Sequence, residues 1–119
     1  MSTLTKTQTP TRFMATDLVN GSDVYAPSGR RLGYIRDILI DERSGRVAFA
    51  VLGLGGFYGF NERFRPVPWH YLRYSNDVNG FVLPLDREVI ENGPPFDQHG
   101  VGEWDDQTLL DYYRRTAAS

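Results

Sequence analysis

A chain of 119 residues, 40% apolar and 24% charged, has the size and composition of one ordinary globular domain. Its formal net charge of −2 offers no electrostatic reason for nucleic acid or an anionic membrane as the main partner, and the lack of cysteine excludes disulfides and thiolate chemistry. No apolar run reaches membrane-spanning length and no basic-then-apolar leader opens the chain, so the expectation is a soluble, cytoplasmic protein without a transmembrane segment.

Twelve glycines and seven prolines favour many short strands and turns over a helix bundle. Residues 1–12 hold five threonines and only Met1 and Leu4 as apolar residues, too little surface to offset the entropy of ordering, so a flexible tail is expected there. Residues 13–19 read as a lead-in segment or short strand. Asn20-Gly21-Ser22 turns the chain into a short strand at residues 23–26, and Pro27-Ser28-Gly29 turns it again.

The centre of the chain is a long hairpin. Residues 31–41 are rich in β-branched and aromatic side chains, and residues 46–52 alternate Val47, Phe49 and Val51 with Ala48, Ala50 and Leu52. Between them Asp41 is placed for an Asx-type hydrogen bond and Gly45 for a positive φ. In the first strand Leu32, Tyr34, Ile38 and Ile40 share a parity that Arg36 interrupts, while Ile35 and Leu39 lie on the other. A bulge near Arg36-Asp37 reconciles the two sets and bends the strand as a small barrel requires.

Residues 53–60 form a glycine-rich aromatic connection. A phosphate-cradling fingerprint needs glycine where Tyr58 stands, and a helix must follow; the prolines after residue 61 oppose one, so phosphate binding is rejected. Residues 63–67 read as an edge strand because of Pro66, and residues 68–74 as a single helical turn packed by Trp69 and Leu72. Residues 76–80 are turn-like. Residues 81–85 read as the last strand, again at an edge because of Pro84, and residues 86–92 as a short helix stopped by Gly93-Pro94-Pro95. After a polar linker, residues 104–115 carry acidic residues early, arginines late, and Leu109, Tyr112 and Tyr113 at i, i+3 and i+4, which predicts an amphipathic helix. The organisation expected is a tail over 1–12, a β domain over 13–95, and a linker with helix over 96–119.

Taken in order, Gly21-x-Asp23-Val24-Tyr25, then Ser28-Gly29-x-x-Leu32-Gly33-x-Ile35-x-Asp37 through Asp41, then Ser44-Gly45-Arg46-Val47, and finally Val67-Pro68-Trp69-x-x-Leu72 resemble the PRC-barrel domain family. That family includes domains of the photosynthetic reaction-centre H subunit and of a ribosome-maturation factor. The resemblance runs over residues 18–86. It implies a mainly β fold, a small and strongly bent barrel of about six strands, here with a short C-terminal α-helix. It also implies an assembly or protein-contact role without catalysis. The H subunit's membrane helix and the ribosome factor's N-terminal domain have no counterpart, so neither specific task transfers. The stretch after Pro95 resembles an addition of free-standing bacterial members.

Candidate sites are few. His70 and His99 are far apart and show no paired ligand spacing, so no metal and no cofactor is expected. Asp37 and Asp41 are read as bulge and turn residues, and with no nucleophile elbow or triad pattern an enzyme is not expected. Arg30, Arg31, Arg63, Arg65 and Arg73 with Tyr58, Phe60 and Phe64 are the residues an RNA- or ribosome-associated adaptor would use. Interleaved Asp41, Glu42 and Glu62 favour ordinary solvated arginines, with nucleic acid as the second reading. Aromatic residues expected in loops or near a terminus, Phe57, Tyr58, Phe60, Trp104, Tyr112 and Tyr113, together with Leu109, mark a protein-interaction surface, or alternatively plugs for the barrel's ends. The function expected is a homodimeric adaptor that binds through aromatic loops, a sheet edge and the C-terminal helix.

Overall fold

The computed structural model describes residues 13–55, 62–96 and 106–117. The expected tail, most of the aromatic loop and the linker with Trp104 lie outside these residues. Six strands form one sheet: β1 (Asp23–Tyr25), β2 (Arg31–Ile40), β3 (Val47–Leu54), β4 (Arg63–Pro68), β5 (Arg73–Ser75) and β6 (Gly80–Val82), in the order β4-β3-β2-β1-β6-β5. All neighbours are antiparallel except β1 and β6. Among the described residues, three α-helices complete the fold: α1 (Thr16–Val19), α2 (Arg87–Glu91) and α3 (Asp106–Ala117).

Hydrogen bonding does not close the sheet, yet connectivity makes it curl. β4 ends one side of the ladder at Pro68 and β5 begins the other side at Arg73, with one 3-10 turn, Trp69–Tyr71, between them. So short a connection forces the two ends of the sheet together, and the result is barrel-like. The bend is built into β2. Its register against β3 passes from Ile35↔Leu52 to Asp37↔Val51, leaving Arg36 unpaired, so the bulge falls at the expected place. A second irregularity against β1 skips Leu32. Leu32 and Ile35, of opposite parity, are therefore both buried.

The central hairpin turns as its residues predict. Asp41 Oδ1 accepts the backbone N–H groups of Arg43 (2.8 Å) and Ser44 (3.3 Å), and Gly45 adopts φ 75°. Farther along, β2 and β3 approach closely: a side chain at Gly33 would collide with the carbonyl oxygen of Gly53, while the Tyr34 ring covers Gly53 itself. The large side chain on one strand thus fills the space left by glycine on the other. A single core gathers Val24, Ile35, Leu52, Leu54, Val67, Phe81, Leu83 and Ile90 from the barrel and α2, with Leu109 and Tyr113 from α3.

Three expectations are corrected. Residues 16–19 form a helical turn rather than a strand: Asn20 N–H donates to Thr16 O, and Ser22 Oγ donates to Leu18 O. The final strand is not an edge. β6 lies between β1 and β5, and Pro84 falls beyond it, where no ladder bond is required of it. The expected helical turn at 68–74 stops at Tyr71, because Arg73–Ser75 pair with Gly80–Val82 as a strand.

Candidate interaction surface

Most of the residues that carry the family resemblance are structural. Gly21, Gly29 and Gly45 sit in turns at positive φ, and Asp23 pairs with Arg31 across β1 and β2 at 2.9 Å. Asp37 Oδ1 accepts the N–H of Ile38 beside the bulge. Pro68 faces Phe49 in the ladder, and the Trp69 ring packs at 5.7 Å from Phe81. Gly33 and Asp41 act in the close approach and the turn already described.

Of the expected interaction residues, Phe57, Tyr58, Phe60 and Trp104 lie outside the described residues. Leu109, Tyr112 and Tyr113 do share one face of α3, and that face packs on the chain itself, chiefly on β4 and α2. Leu109 and Tyr113 are fully buried. Tyr112 Oη donates to Val89 O at 2.6 Å, and its ring meets Tyr113 edge-on at 4.9 Å. Gly93 makes the seat possible. A Cβ there would lie 2.8 Å from Tyr113 Oη and 3.1 Å from Tyr112 Cε2, so the aromatic pair occupies the space a side chain would need. The Tyr113 hydroxyl has no hydrogen-bond partner among the described residues, and burial pushes its pKa well above the ordinary value.

The arginines put forward for nucleic acid are largely held within the chain. Arg63 and Arg87 both reach Glu91 Oε2, at 3.1 and 3.0 Å. Arg65 donates through Nε and Nη2 to Glu91 O and through Nη1 to Phe64 O. One residue, Glu91, thereby staples α2 to β4. Arg36 lies over the Phe64 ring at 5.8 Å, and Tyr34 Oη donates to Glu62 at 2.9 Å. Burial first, then that carboxylate, raises the Tyr34 pKa. Arg30 and Arg73 are exposed.

The sheet edges differ. The outer side of β4 is partly covered, since Phe96 N–H donates to Phe64 O and α3 packs nearby. β5, at the opposite end, is only three residues long. A feature that sequence reasoning missed stands at the N-terminal end: Phe13 is 78% exposed, Leu18 49% and Met14 37%, with Val19 alone turned into the core. Three large apolar side chains within six residues were the available signal, hidden by reading the segment as a strand. A groove of about 380 Å³ runs between the β1–β2 turn and the start of α2, with Arg30 and Arg87 at its rim and Leu32 and Leu85 inside.

His70 is exposed and His99 lies outside the described residues; among those residues no group of three His, Asp or Glu side chains is placed to share a metal ion. No described helix is long and apolar enough to cross a membrane. Comparison with curated proteins finds no match. The model of the PRC-barrel domain family matches residues 11–90, two thirds of the chain, from α1 through nearly all of α2. On that match, and with a six-stranded bent sheet bearing the motif residues in its turns and bulges, the chain belongs to the PRC-barrel domain family.

Proposed function

We propose that the protein is a non-catalytic interaction module that associates with a second copy of itself. PRC-barrel domains are generally non-enzymatic, and the family match supports the interaction role at that level. The observation that carries self-association is the apolar surface of Phe13, Met14 and Leu18, three of the four large apolar side chains that stand exposed among the described residues. Exposed patches of this kind mark contact sites more often than chance placement does. A two-fold contact would set the patch against itself.

The experiment is light-scattering mass determination of the full chain over a concentration series. A dimer whose dissociation constant rises about tenfold or more in Leu18→Glu is the expected result. A monomer at every concentration overturns self-association, and a dimer indifferent to Leu18→Glu moves the contact to another surface.

A further inference from the structure

The segment after residue 90 lies outside the family match, yet its helix completes the core. α3 is therefore a separate piece seated in a groove that belongs to the barrel. The groove is made by β4, by Val89 and Ile90 of α2, and by the bare backbone at Gly93. Its fit to the helix is specific: a notch for two tyrosine rings and a carbonyl acceptor for Tyr112.

We propose that α3 is exchangeable, and that self-association proceeds by each copy seating its α3 in the β4–α2 groove of the other. This deepens, and rests on, the reading of the protein as self-associating. Three observations carry it. First, α3 touches chiefly β4 and α2 and takes no part in the ladder, whereas every interior strand is bonded on two sides, so α3 opens without breaking the sheet. Second, the buried Tyr113 hydroxyl has no partner among the described residues, which taxes the docked state. Third, residues 97–105 between Phe96 and α3 can span roughly 30 Å when extended, enough to carry the helix to a neighbouring groove. A twelve-residue helix is marginal alone in water, so a released α3 does not persist free; it re-docks at home or on a second copy. Exchange keeps every contact of the docked helix, which is why a second copy is the occupant that fits.

The test is complementation between two full-length variants. Gly93→Leu fills the notch but leaves α3 intact. Leu109→Asp combined with Tyr113→Asp disables α3 but leaves the groove intact. Both variants also carry Leu18→Glu, which removes the exposed apolar contact, so each alone is expected to be monomeric; mixed, they are expected to form a one-to-one heterodimer by light scattering, with one intact helix on one intact groove. A mixture that stays monomeric overturns the exchange. Dimers formed by each variant alone also overturn it, while supporting self-association through another surface. A wild-type monomer at every concentration overturns the proposal together with the self-association reading, whereas a wild-type dimer whose variants fail to complement overturns the exchange alone. Where circular dichroism shows either barrel unfolded, the milder pair Gly93→Ala and Leu109→Ala is used with the same outcomes.

Discussion

The β2–β3 hairpin and α3 both contribute fully buried side chains to one core, yet they are held in different ways. The hairpin is tied by a long ladder, which keeps its pairing through two register shifts, and by a close backbone approach at Gly33 and Gly53; each tie depends on the strands remaining paired. α3 is held by a stripe of three side chains, one tyrosine hydroxyl and a notch. Burial alone therefore does not report how firmly an element is fixed. The number of independent restraints does, and by that measure the hairpin is the scaffold and α3 the accessory.

Substitutions can break this comparison or sharpen it. The largest effect is expected at Gly33→Val, where a side chain meets the Gly53 carbonyl rather than a flexible group. A loss of about 3 kcal/mol in urea unfolding is expected, and near-neutral behaviour would show that the two strands are not held at that distance. Next comes a matched pair. Ile35→Ala is expected to lose about 3 kcal/mol, as a buried aliphatic truncation does, whereas Leu109→Ala is expected to lose about 1–2 kcal/mol because the helix detaches before the full cavity is paid for. Equal losses would make α3 as much scaffold as the hairpin.

Smaller still, Tyr112→Phe removes the bond to Val89 O and is expected to lower stability by about 1 kcal/mol, with hydrogen exchange accelerated in α3 and not in β2 or β3. The smallest change is Tyr113→Phe, which removes an unpartnered hydroxyl and is expected to stabilise by up to about 1 kcal/mol at neutral pH. Burial holds the Tyr113 pKa above 10.0 in the folded state. A group whose folded pKa is raised contributes stability below its unfolded pKa and loses it as pH climbs toward the folded one, so the wild type should weaken above about pH 10. Thermal melting across that range should show a shallower decline in Tyr113→Phe; an identical decline would place the alkaline loss elsewhere, with Tyr34 the next group to replace.

Much of the fold was legible because its causes are local. Asp41 and Gly45 make the turn with neighbours two to four residues away, Arg36 betrays the bulge by interrupting an alternation, and Gly93-Pro94-Pro95 stops a helix without outside help. The errors share one source. Residues 13–19 read as a lead-in or short strand, whereas residues 16–19 form a helical turn and three of the segment's apolar side chains face outward. Pro84 was read as an edge marker because the end of β6 was placed three residues too late. Arg63 and Arg65 looked like free cations until Glu91, far along the chain, came to lie against them.

The sequence by itself determined the β2–β3 hairpin, its turn chemistry, the bend in β2 and the apolar stripe of α3, since each follows from periodicities and backbone preferences that act over a few residues. Only the tertiary structure decided that the two ends of the sheet meet, that α3 seats in the Gly93 notch, and that the Phe13–Leu18 surface remains outside. Those outcomes depend on which distant surfaces are left to cover one another once the sheet has curled, and no local pattern encodes that choice.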